Sequence, residues 1–300
     1  MTAASPLEQS VQTRLVRAAK ELHVDPNLVF SRYAAERLLR RLGQSRHAER
    51  FVLKGAMMLI VWLGDIIRPT RDVDLLGFGD LSDETVLELF KEIATTGVEP
   101  DGVVFETASI TVARIREEDA YGGRHVMLSG NLGSARLRVQ VDLGIGDAVF
   151  PDPEWIEYPS LLDLPRPNLK AYRPETAIAE KLHAMVTLGS KNSRMRDFFD
   201  VRALARAEAF DGERLARAIR TTFDRRGTRV PSETLAVTRQ FAELDGKRDQ
   251  WNGFLRKNGL PPEELGPAID ELAAFLIPVM STIAAFGTFD EVWVPGGPWS

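Results

Sequence analysis

The chain has no cysteine among its 300 residues. That excludes disulfides, a thiol nucleophile and any zinc site built on thiolates, and it fits a reducing compartment. Histidine is scarce. His23, His47, His125 and His183 are scattered, no His-Glu-x-x-His pair occurs, and each reads as structural, although His183 lies close enough to Lys181 to line a cleft with it. Also missing are a Gly-x-Ser-x-Gly elbow, a Rossmann glycine fingerprint and a Walker loop; Gly246-Lys247-Arg248 lacks both the upstream glycine and the Ser/Thr. The longest apolar run, Leu272 to Phe286, is interrupted by Pro278. It is shorter than the ~20 residues a membrane span needs, so it reads as a buried helix. Met1 to Ser10 show no basic-then-apolar pattern, so no secretory signal is expected. Together these absences point to a cytoplasmic protein with no membrane partner.

Positive charge is in deficit overall, with a net charge of −5, but it is unevenly spread. Lys181 to Arg229 hold 12 Lys and Arg against 6 Asp and Glu, a local excess of +6 that leaves −11 for the rest. Such a window is either a set of amphipathic helices with solvated arginine faces or a footprint for a polyanion.

What is present sorts into two halves. Residues 6–22, 26–43, 55–63 and 83–96 carry helical patterns, with Asp25-Pro26 and Ser82 or Asp83 as start signals. Asp72 to Leu76 reads as a short strand, and segments 102–106, 108–116, 124–129 and 135–143 as further strands, with turns at 121–123 and 130–133. In the last of these strands Leu137, Val139, Val141 and Leu143 face one way, and Arg136, Arg138, Gln140 and Asp142 the other. Residues 147–173 are proline-rich and read as a linker with one extended piece, and from Glu175 the chain reads as nearly all helical. The expected division is an α/β domain over 1–170 and a helical domain over 171–300.

Several separated residues carry chemistry. Asp72 and Asp74, two apart on a strand, share a face, and paired carboxylates suit Mg²⁺. Asp142 has the same placement on another strand; if the strands are neighbours it meets the first two, and three carboxylates can hold two metals. Alone, each motif is common, and an Asp ending a strand is usually a turn former. Gly55, between Lys54 and Ala56, permits close approach of a phosphate to backbone N–H groups at a helix start. Lys181 sits on the edge of a helical stripe formed by Ile178, Leu182, Met185 and Val186, and is either a snorkelling surface lysine or a cleft residue. Asp197 shares a helical line with Val201 and Leu204. It is either a first-turn acid favoured by the helix dipole or a functional charge. Asp200 is placed to pair with Arg196.

Phe51-Val-Leu-Lys-Gly-Ala56, Arg68-Pro-Thr-Arg-Asp-Val-Asp74, Ala179-Glu-Lys-Leu-His183 and Arg194-Met-Arg-Asp-Phe-Phe-Asp200, in that order, resemble the AbiEii/AbiGii toxin family. These are nucleotidyltransferase-fold proteins of bacterial abortive-infection and toxin–antitoxin systems, the mycobacterial MenT toxins included. The resemblance covers roughly residues 30 to 210. It implies that Gly55 is the phosphate-turn glycine, that Asp72 and Asp74 bind metal with Asp142 as third carboxylate, that Lys181 contacts the triphosphate, and that Asp197 is the acid of the last motif. Lys54, Ala56 and Arg71 join the nucleotide site, and Lys191, Arg194 and Arg196 the RNA site. Where the fold usually has Gly-Gly or Gly-Ser, this chain has Gly55-Ala56, which keeps the N–H and loses a hydroxyl.

The expectation is therefore a nucleotidyltransferase-fold α/β domain with a small mixed sheet, followed by a helical domain. It would use Mg²⁺, or Mn²⁺, to move NMP from an NTP to RNA, a tRNA 3′ end, with a cognate antitoxin as partner. Two alternatives stand beside it: a protein or small-molecule hydroxyl as acceptor, and a regulator that binds NTP without transfer.

Overall fold

The structure, a computed structural model, describes residues 5–64, 70, 72–115 and 123–300. The chain is mixed α/β and divides into two compact units. One comprises Met1–Val61, Pro69–Asp147 and Glu154–Ala171; the other comprises Trp62–Arg68, Ala148–Pro153 and Tyr172–Ser300.

The first unit opens with helices α1 (Pro6–Glu21) and α2 (Pro26–Gln44). A reciprocal cap starts α1: the Glu8 N–H donates to Ser5 Oγ, and the Ser5 N–H donates to Glu8 Oε2. Asp25 caps α2 by accepting from the Asn27 N–H, with Pro26 at the first helical position. Then come β1 (Phe51–Lys54), a 3-10 turn (Gly55–Met57), α3 (Met58–Leu63), β2 (Asp72–Gly77) and α4 (Asp83–Thr95), which Ser82 caps. Strands β3 (Val103–Arg114), β4 (Arg124–Leu132), β5 (Ala135–Ile145), β6 (Glu154–Glu157) and β7 (Asn168–Ala171) complete it.

All seven strands form one sheet in the order β3-β4-β5-β2-β1-β7-β6. The pairs β2–β5 and β1–β7 are parallel and the others antiparallel. Two rows of apolar partners run across its centre, Leu53–Leu75–Leu143 and Val73–Val141–Val126, none more than 1% exposed. Each such side chain contributes about 1.5–3 kcal/mol by leaving water. Helix α2 packs on β5 and β7, and α4 on β3, closing this core with Leu38, Leu42, Phe90 and Ile93. Arg41 of α2 holds Asp101 through Nη1–Oδ2 at 2.6 Å and also donates to the Val103 carbonyl. Both side chains are buried, so removing one partner would cost about 3–5 kcal/mol.

The structure extends the sequence reading at one place and alters it at others. Phe51–Lys54 is a strand; four residues carry too little periodicity to show it, and pairing with β2 and β7 decides it. The proline-rich stretch after 147 is not only a linker, because it supplies both β6 and β7, and its prolines lie outside those strands. The two segments read at 102–116 are one strand with a bulge between Glu106 and Thr111. Strand β4 runs to Leu132, so the turn expected at 130–133 tightens onto Gly133, whose φ is +56°. Tyr121 and Gly122, read as a turn, lie outside the described residues.

The second unit contains α5 (Pro174–Leu188), α6 (Met195–Ala207), β8 (Phe210–Asp211), α7 (Gly212–Arg225), α8 (Arg239–Glu243), α9 (Lys247–Lys257), α10 (Leu265–Ala284) and β9 (Val292–Trp293), with β8 and β9 pairing. Helix α10 carries the long apolar run, and by length and composition it alone among the described residues passes for a membrane span. It instead forms the core of this unit: Ile269, Leu272, Phe275, Leu276, Val279 and Met280 are fully buried, and Trp299 stacks on Phe275 at 5.6 Å.

Candidate active site

Strand alternation that buries Val73 and Leu75 turns Asp72 and Asp74 to the opposite face of the sheet. Register then builds a transverse row on that face. Asp74 is the Cα partner of Lys54 on β1 and of Asp142 on β5, and Asp142 is the partner of His125 on β4. Directly opposed residues in neighbouring strands share a face, so His125, Asp142, Asp74 and Lys54 stand side by side across four strands. Asp72 stands two residues along the strand from Asp74, paired with Gln140.

At one end of the row Lys54 Nζ donates to Asp147 Oδ2 at 2.9 Å, with both side chains largely buried. At the other end His125 Nδ1 and Asp142 Oδ1 are 2.7 Å apart, each side chain about a third exposed, at 33% and 32%. Gly55 follows Lys54 with φ +73°, and a Cβ there would lie 2.6 Å from Asp74 Cγ. The turn thus presses its backbone onto the Asp74 carboxylate in a way that only glycine allows. Ala56 continues the 3-10 turn, and the α-helix behind it begins at Met58 and has six residues. A helix running from residue 55 was expected. The structure replaces that helix start with a tight turn, so Gly55 brings close backbone approach and not a helix end.

The donor set suits a hard divalent cation, which takes oxygen ligands and often only one or two carboxylates from the protein. Asp72 and Asp74 fit that need: both are half-buried and share a face. Among the described residues no three His, Asp or Glu side chains are grouped closely enough to hold a metal, and Asp142 is hydrogen-bonded to His125.

In the second unit Lys181 of α5 meets two acids of α6: Asp197 Oδ1 at 3.0 Å and Asp200 Oδ2 at 2.8 Å. The acids are 1% and 0% exposed. Burial by itself would push the Lys181 ammonium down, yet Asp200 and Asp197 outweigh it and hold the group above the ordinary lysine value. Asp200 therefore bonds Lys181, where the sequence suggested Arg196 as its partner. Arg194 Nε reaches Asp197 Oδ2 at 2.8 Å. Arg196 is 58% exposed, and Lys191 is exposed. Much of the basic window is paired internally, Arg202 with Glu263 and Glu271, and Arg206 with Glu271. His183 packs its ring on Phe223 at 5.0 Å and lies 3.1 Å from Thr228 Oγ1, which fits a structural role.

The structure thus joins Lys54, Gly55, Asp74 and Asp142 within the first unit, and Lys181, Asp197 and Arg194 within the second. Arg71, assigned to the nucleotide, lies outside the described residues. Sequence reasoning passed over His125 and Asp147. His125 alternates with buried Val126 as a strand demands, but nothing in a single sequence states that its cross-strand neighbour is Asp142.

Residues 37–275 match the family described as the nucleotidyl transferase AbiEii toxin of Type IV toxin–antitoxin systems. Among solved structures, JHP933 from Helicobacter pylori is similar at 15% identity over 95% of this chain and 96% of that one, with a TM-score of 0.47. An H. pylori protein described as a candidate nucleotidyltransferase is similar at 16% identity over 87% and 96%, with a TM-score of 0.45. No curated protein matches the chain.

Proposed function

We propose that this chain, which belongs to the AbiEii nucleotidyl transferase toxin family of Type IV toxin–antitoxin systems, moves a nucleoside monophosphate from an NTP to RNA. The acceptor in this reading is a tRNA 3′ end, the consequence is blocked translation, and the setting is the cytoplasm with a cognate antitoxin. The observation that supports it most is the row on the sheet: Asp74 lies against the backbone of Gly55, is registered with Asp142, and is two residues from Asp72.

In the step itself the acceptor hydroxyl oxygen forms a bond to the α-phosphorus as the bond from that phosphorus to the bridging oxygen breaks. Pyrophosphate leaves with the electron pair, and the hydroxyl proton passes to a carboxylate. A Mg²⁺ or Mn²⁺ ion held by Asp72 and Asp74 would supply positive charge to the phosphates and acidify the hydroxyl. Gly55 and Ala56 give the phosphates backbone N–H groups at close range. Asp142 receives the hydroxyl proton or orients the hydroxyl. Lys181, bonded to Asp197 and Asp200 in the second unit, is assigned to neutralising charge on the triphosphate. Lys191, Arg194 and Arg196 are assigned to RNA phosphates.

The test is incubation of the protein with each NTP labelled at the α-phosphorus, divalent metal and total tRNA, beside the Asp72→Ala/Asp74→Ala variant. Label on tRNA that disappears in the variant is the expected outcome, with transfer falling by at least about 10³-fold, the scale on which charge stabilisation at a reacting centre acts. Label on protein with none on RNA would overturn the RNA acceptor. No label on either macromolecule would overturn macromolecular transfer.

A further inference from the structure

We infer that His125 is a positioning residue that commits Asp142 to the acceptor hydroxyl, leaving the divalent cation to Asp72 and Asp74. The inference rests on the transferase reading above and divides the labour among its three carboxylates. An ionised carboxylate only accepts hydrogen bonds. The 2.7 Å contact therefore places the proton on His125 Nδ1, and Asp142 Oδ1 accepts it. That bond ties Oδ1 toward β4, while Asp74 lies on β2, on the other side of β5. One oxygen of Asp142 is thus engaged on the side away from the paired acids, and Oδ2 is the oxygen left for a ligand. Both side chains are a third exposed, so a substrate hydroxyl can reach the pair. Two strands, β4 and β5, hold the pair in register, and neither His125 nor Asp142 lies on a loop. A histidine that donates to a carboxylate on the adjacent strand fixes its orientation, and misplacing a reacting group by about 1 Å can cost roughly 10²-fold in rate.

The experiment uses the full chain and two readouts. Binding of Mn²⁺, measured by electron paramagnetic resonance with a non-hydrolysable NTP analogue, reports the metal. Steady-state transfer reports kcat and the KM values for NTP and RNA. The expected result is that Asp142→Asn and His125→Val keep Mn²⁺ binding within about twofold, whereas Asp74→Asn loses it. His125→Val should lower kcat roughly 10²-fold with the KM for NTP unchanged. His125→Asn, whose amide N–H stands near the lost Nδ1–H, should recover most of kcat; a histidine needed only for packing would show no such rescue. Loss of Mn²⁺ binding in Asp142→Asn to the extent seen in Asp74→Asn would overturn the division of labour. So would unchanged kcat in His125→Val. If the wild-type chain bound Mn²⁺ but transferred nothing, the transferase reading would fall and the inference with it. If it transferred while only His125→Val behaved as wild type, the inference alone would fall.

Discussion

A methyl group on Gly55 would lie 2.6 Å from Asp74 Cγ, on a backbone whose φ is +73°. Two costs meet at this residue. The left-handed conformation costs an L-residue about 1–2 kcal/mol, and the added carbon displaces the carboxylate proposed to hold metal. Gly55→Ala should therefore lower the denaturation midpoint by that order of stability and abolish transfer together; full transfer by a Gly55→Ala protein would show that the phosphate turn is not used. Gly55 and the Asp72/Asp74 pair could be picked out from residue type and spacing alone. Asp147 could not, because its bond to Lys54 spans 93 positions and nothing about an isolated Asp states such a partner.

At the scale of elements, α6 and α10 are clamped by charge. Glu271 of α10 receives Arg206 and Arg202 of α6. Partial burial would raise its carboxyl, but the two guanidiniums outweigh this and bring it down to about 2. Because the folded value lies below the unfolded one, which is near 4.3, the stabilisation is full above roughly pH 4.3 and is lost as pH falls toward 2. Thermal unfolding followed from pH 6 to pH 2 should show a steeper acid loss for wild type than for Glu271→Gln, and superimposable profiles would refute the clamp. The elements themselves were legible to different degrees. Helices with caps, α1, α2 and α4, were readable within a residue or two, since their start signals are local. Strands β1, β6 and β7 were hidden because each has only four residues and takes its stability from hydrogen bonds to distant chain.

At the scale of the whole molecule, the charge excess of the 181–229 window narrows once pairing is seen. Arg202 and Arg206 answer to glutamates, and Lys181 and Arg194 to aspartates. Lys191 and Arg196 stay exposed and are the better candidates for RNA phosphates. Replacing both with glutamine should weaken tRNA binding without changing NTP affinity. It should also lower the slope of log K against log salt by roughly 0.7 for each RNA phosphate no longer neutralised. An unchanged slope in a filter-binding salt titration would remove them from the interface.

By itself the sequence determined the family, the α/β character, the paired carboxylates and the apolar alternation of β5. All of these depend on residue type and on spacing along the chain. Only the tertiary structure decided that Asp142 stands beside Asp74, that His125 holds it, and that a proline-rich stretch completes the sheet. Strand pairing is long-range, and a register is set by which side chains can be buried together, a condition that no local stretch of sequence contains.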